Sequence, residues 1–130
     1  MVPADDPSIA GNIGILRGIK ASQISPDTNG NEILSDGAFR TTGGLSAFRE
    51  DLATDADVFK EYPQATRVAR LTAQDVRAAN CIIQMSEPPK GHVEIFRKDN
   101  PGQRISGGSA GQMAKKAKLT STTNNSVPPF

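Results

Sequence analysis

The sequence predicts one small α+β domain: a mostly antiparallel sheet carrying about three short helices, with flexible tails. Three observations carry this. The length of 130 residues fits a single domain able to bury a core. Short runs of period-two apolar alternation are interspersed with short capped segments of helical pattern. Finally, 12 Gly and 9 Pro predict long loops, while 36% hydrophobic and 5% aromatic residues predict a core of aliphatics and a few phenyl rings. The boundaries follow from composition: an acidic, Pro-containing flexible tail over 1–10, the α+β domain over 11–119, and a polar tail, "TSTTNNSVPPF", over 120–130, which Phe130 could anchor.

"NIGILRGI" (12–19) reads as the first strand, with Ile13, Ile15 and Arg17 on one face and Leu16 on the other. "SPDTNGNE" reads as a turn. "ILSDGAFRT" reads as a loop or short helical turn and "GLSAFRED" as a short strand. "TDADVFKEYP" (54–63) is a short helix: Thr54 or Asp55 caps it, acids fill its first turn, and Pro63 stops it. "ATRVARL" (65–71) alternates into a strand. "TAQDVRAAN" (72–80) opens with Thr72 and, three residues on, Asp75, a capping-box spacing, and Asn80 suits its end. "CIIQMS" (81–86) is a continuous apolar strand. "HVEIFRK" (92–98) alternates, with Val93 and Ile95 on one face and His92, Glu94 and Phe96 on the other. "ISGGSAGQMAKKAKL" (105–119) is the last helix, with Ser109 as its N-cap and Met113, Ala114, Ala117 and Leu119 facing the core. The order predicts helices on one side of the sheet.

Cys81 is the one cysteine, so an intramolecular disulfide and a thiolate metal cluster are both excluded. Its apolar surroundings predict a buried small hydrophobe and a reducing, cytoplasmic setting. No apolar run reaches membrane-spanning length, and "MVPADDPSIAGN" does not read as a secretory signal. The net charge of +1 hides an asymmetry: residues 1–89 sum to −4 and residues 90–130 to +5. A basic C-terminal third on an acidic body points to an anionic partner.

The Gly107–Gly108–Ser109 start of the last helix offers backbone N–H groups and the positive end of a helix dipole to an anion. With Arg104, Lys115, Lys116 and Lys118 it forms an anion-binding candidate. The same residues also read as a capped amphipathic helix with a solvated lysine face. A P-loop is excluded, because Gln112 and Met113 stand where that motif requires Gly and Lys. His92 is the one histidine, so a histidine-based metal site is not expected; it reads as a strand-edge residue or a general base. Arg17 is a charge within an apolar strand and needs either a surface acid or an anionic ligand. Ser46 follows a Gly pair, where backbone closely approaches whatever lies over it. No G-x-S-x-G turn supports a serine triad.

The order "ILRGI", "DGAFR", "LSAFR", "ARLTAQDVRAAN", "GHVEIFR", over roughly residues 13–119, resembles a family of small uncharacterised bacterial proteins. In them a strand Arg, an Ala-Phe, a Leu-Ser, an "lTa.d.R" helix start and a Gly- or Ala-His strand recur in that order. The resemblance implies a shared fold. The layout is also similar, more remotely, to NAD-dependent ADP-ribosyltransferases. That likeness implies Arg17, Ser46 and His92 or Glu94 around a nicotinamide ribose, although the Ser-Thr-Ser run and Gln/Glu-x-Glu signature of those enzymes are absent.

Three functions follow as expectations. The first is a non-enzymatic accessory module that uses its basic C-terminal surface, with Arg97 and Lys98 added, to contact nucleic acid, a nucleotide or an acidic protein. It needs no cofactor. Phe96, Phe39 and Phe48 interleave too thinly for stacking on single strands. The second is an NAD-using enzyme or toxin. The third is an assembly subunit whose terminal segments are docking arms.

Overall fold

The computed structural model describes residues 3–41 and 44–121. The alternation at the start becomes β1 (Gly14–Ile19), with Ile15 and Ile19 buried on one face and Leu16 on the other. The polar cluster after it does turn the chain, but between two three-residue strands, β2 (Ile24–Pro26) and β3 (Glu32–Leu34), paired as a separate hairpin. Asp27 shapes that turn: its Oδ1 accepts from the N–H groups of Asn29 and Asn31 at 2.8 and 2.9 Å. A 3₁₀ turn over Asp36–Phe39, capped by Ser35, buries Ala38 and Phe39, and β4 (Leu45–Arg49) follows.

Capping boxes form at two helices, the second as the Thr72–Asp75 spacing requires and the first at Thr54. α1 (Asp55–Glu61) starts at Thr54, whose hydroxyl accepts from the Asp57 N–H while the Asp57 carboxylate accepts from the Thr54 N–H. After β5 (Arg67–Thr72), Thr72 and Asp75 repeat the arrangement at the start of α2 (Ala73–Ala78), and Asn80 ends that helix region at φ 63°. β6 (Cys81–Met85) and β7 (His92–Arg97) are antiparallel neighbours. α3 (Gly107–Lys116) and β8 (Lys118–Ser121) complete the chain described.

Six strands form one antiparallel sheet in the order β6-β7-β4-β1-β5-β8. On one face Ile15, Ile19, Leu45, Leu71, Ile83 and Ile95 pack under α2, α3 and the 3₁₀ turn, with Val76, Met113 and Phe39 as covering side chains. On the other, Leu16, Phe48 and Val68 meet Val58 and Phe59 of α1. Helices therefore cover both faces rather than the one expected, because β1, β4 and β5 carry large apolar residues at positions of both parities. Cys81 lies in the first core, and burial pushes its thiol up to about 11.

The expected tail over 1–10 is corrected for most of its length. The Asp6 N–H donates to Ile83 O at 2.7 Å, and Asp5 Oδ1 accepts from the Ile83 N–H at 3.0 Å. Arg77 then ties the segment down, with Nη1 to Ile9 O at 2.8 Å and Nη2 to Asp6 O at 3.0 Å, while Ile9 is fully buried. The chain start thus lies along the outer edge of β6 and satisfies an otherwise open strand edge. It is engaged within its own domain rather than held out as a docking arm. At the other end, β8 pairs with β5, so the domain runs through Ser121 and not to 119. Residues 122–130, with Phe130, lie outside the described residues.

Candidate functional site

β1 pairs with β5 along its whole length, but with β4 only at Ile15↔Arg49 and Leu16↔Phe48. Beyond that point β1 and β4 part, and Arg17 reaches into the opening. Its Nη1 donates to Ser46 O at 2.7 Å and its Nε to Ala38 O at 2.9 Å. The guanidinium thus satisfies a β4 carbonyl that lacks a β1 ladder partner. Among the described residues no carboxylate pairs with Arg17. Burial holds its pKa below the ordinary value, and the phenol of Tyr62 acts in the opposite direction. The surface acid expected as one partner for Arg17 is therefore not there.

The parted strands open into a cleft of about 490 Å³ whose walls include Arg17, Lys20, Thr41, Ser46, Tyr62 and Gln64. That size suits a small ligand. Tyr62 is the C-cap residue of α1, placed by the turn that Pro63 forces. Its hydroxyl lies 3.3 Å from His92 Nε2, and His92 Nδ1 lies 3.0 Å from Ser86 O. Phe48 stands edge-on to both rings, with centroids 5.2 Å from His92 and 6.3 Å from Tyr62. The Gly91 turn that leads into β7 sets His92 there: Gly91 has φ 81°, and a Cβ on it would press on Leu52 and Ala53 at 3.1 Å.

Ser46 of β4 lies opposite Glu94 of β7. Glu94 accepts from the Ser86 hydroxyl at 2.8 Å, and its carboxylate packs so closely on Gly44 that a Cβ there would collide with it. Arg17 and Ser46 thus line one cleft. His92 reaches it only through Tyr62, and Glu94 stands behind the Gly44 wall. Sequence reasoning missed Tyr62, Lys20, Thr41 and Gln64. For Tyr62 the signal was available: it is the one tyrosine, set directly before a proline at a helix end.

The basic C-terminal residues are dispersed. Arg97 is paired with Asp99 at 2.6 Å and also donates to Gln103. Lys98 follows β7, whereas Lys118 is on β8, four strand spacings or roughly 19 Å across the sheet. Lys115 and Lys116 end α3, and Arg104 precedes its start, about 15 Å away along a ten-residue helix. All four of these lysines and Arg104 are exposed. The cap of α3 is also corrected: Ser106, not Ser109, is the N-cap, and its hydroxyl accepts from the Ser109 N–H at 3.1 Å. Ser109 sits inside the first turn with Gly107 and Gly108, and the Arg40 guanidinium stands beside Gly107. Among the described residues no three His, Cys, Asp or Glu side chains converge to hold a metal ion, and no helix is long and apolar enough to cross a membrane.

No family model, no curated protein and no solved structure matches this chain.

Proposed function

We propose that the protein is a small binding module that takes an anionic ligand in the cleft between β1 and β4, on the guanidinium of Arg17. One observation carries this reading: Arg17 opens into a cleft of about 490 Å³ without a carboxylate partner among the described residues. A half-buried cation keeps a desolvation cost that an oxyanion of the right size offsets. Lys20 adds a second positive charge at the wall, and Glu61, another lining residue, disfavours an anion that extends toward it. The anionic partner is thus sought in the cleft instead of along the scattered basic residues of the C-terminal third. The accessory role, the bacterial origin implied by the layout and the cytoplasmic setting implied by a single buried cysteine belong to the same proposal.

The test is a thermal-unfolding series with inorganic phosphate, acetate and longer carboxylates at constant ionic strength. A ligand that binds only the folded state raises the Tm with concentration. Lys20→Ala and Arg17→Lys weaken the effect. No shift with any anion in the folded wild type overturns the reading.

A second reading is favoured by Arg17 and Ser46 sharing that cleft, with Glu94 opposite Ser46. It is an NAD-using enzyme of ADP-ribosyltransferase-like layout, with NAD as the cofactor or substrate. Nicotinamide release from NAD by the wild type, lost in Ser46→Ala, separates it from simple binding.

A further inference from the structure

Tyr62 has one hydrogen to give, and the residues behind it decide where that hydrogen goes. A backbone carbonyl only accepts, so Ser86 O, 3.0 Å from His92 Nδ1, requires the proton of the neutral imidazole to sit on Nδ1. Nε2 is then a bare lone pair. It lies 3.3 Å from the Tyr62 hydroxyl, which donates its single hydrogen to it. Phe48, edge-on to both rings, holds the pair in register. What the Tyr62 oxygen has left for the cleft is acceptor capacity alone.

The cleft is therefore lined by two kinds of group. Arg17, with Nε and one Nη1 hydrogen already committed to Ala38 O and Ser46 O, and the ammonium of Lys20 are donors. Tyr62, also among the lining residues, carries a phenol oxygen that cannot donate. A plain oxyanion satisfies the donors but sets its lone pairs against those of Tyr62. A molecule whose oxyanion carries a neighbouring hydroxyl satisfies both, through the anion to Arg17 and the hydroxyl hydrogen to Tyr62. We infer that the cleft selects an oxyanion with an adjacent hydroxyl group, a hydroxy acid or a hydroxyalkyl phosphate, and that His92 is the positioning residue that sets this preference by fixing the direction of the Tyr62 hydroxyl. The inference rests on the anionic-ligand reading of the cleft and names its ligand class.

The experiment has two parts. The first is the imidazole tautomer, read from the ring nitrogen shifts of ¹⁵N-labelled protein at pH 8. The result expected is protonated Nδ1 and bare Nε2; the opposite tautomer overturns the inference. The second compares binding of 2-hydroxypropanoate with propanoate, and of glycerol phosphate with methyl phosphate, by calorimetry on the full chain. The hydroxylated member of whichever pair fits the cleft binds about tenfold tighter, because its partner leaves Tyr62 without a donor. Which pair binds at all separates a carboxylate from a phosphate ligand. In Tyr62→Phe the preference falls to near one while the plain anion still binds. In His92→Ala the Tyr62 hydrogen is released toward the cleft, so the plain anion binds several-fold tighter, a gain that a merely structural role for His92 does not produce. Equal binding of both members by the wild type overturns the inference and leaves the anionic-ligand reading standing. Binding of neither overturns both.

Discussion

Replacing Arg17 with methionine keeps the apolar stem in the parted strands and removes the guanidinium. Two charge-assisted bonds are lost, to Ser46 O at 2.7 Å and Ala38 O at 2.9 Å. Bonds of this kind contribute about 1.5–3 kcal/mol each, and both carbonyls are left without that donor. Acting against this, the variant no longer desolvates a charge, which offsets part of the loss. The balance is a loss of about 2–4 kcal/mol. For a domain of this size that lowers the Tm by about 8–15 °C. Urea unfolding, with the midpoint falling at unchanged m, checks it. Arg17→Lys is expected to fall between the two, since an ammonium cannot span both carbonyls as the fork does. An Arg17→Met protein as stable as the wild type, or more so, refutes the reasoning: desolvation of the charge would then outweigh its two bonds, and Arg17 would stand in the sheet at a net cost to stability.

Three further outcomes are expected. The Asp57 carboxyl is held below the ordinary carboxylate range, first by the backbone N–H of Thr54; a depressed folded pKa contributes stability that is complete at neutral pH and is lost as pH falls below about 4, so the Asp57→Ala unfolding midpoint varies less between pH 5 and pH 2 than the wild type's. Cys81, buried with its thiol pushed up to about 11, resists alkylation by iodoacetamide at pH 7.5 in the native state and reacts in denaturant, followed by intact mass. Gly91→Ala forces a Cβ to 3.1 Å from Leu52 and Ala53 at φ 81°, and is expected to cost more than about 1 kcal/mol in chemical denaturation.

Elements set by local chemistry were legible in the sequence. Thr54, Thr72 with Asp75, and Asn80 announce their helix ends because the groups they satisfy lie within a turn of the chain. β7 was legible because Val93 and Ile95 alternate against His92 and Glu94. β2 and β3 were not, since each is three residues long and their hairpin turn dominates the local composition. β8 is recognisable only from its pairing with β5, some fifty residues earlier. The chain start read as a tail because its fastening, Arg77, comes from α2. At the cleft, Arg17 stood out as a charge in an apolar strand, and the structure explains it by the parting of β1 from β4. Tyr62 did not stand out, because a C-cap residue belongs to no periodic pattern; its partners are fixed only once α1 lies over the sheet. The basic C-terminal third was visible as a sum, and a sum carries no positions.

The segment fastened along β6 also bears on how copies of this protein can meet. A sheet with two open edges can add neighbours on both sides and grow into a ribbon. In the six-stranded sheet one edge is already occupied by residues 5 and 6, and among the described residues β8 has a single strand neighbour. Within that sheet, strand pairing then has the β8 edge to use. Two β8 edges that meet antiparallel use each other up, and the contact closes on a two-fold axis with nothing left to extend it. The few bonds from Asp5, Asp6 and Arg77 thus take one edge of this sheet out of open-ended strand addition.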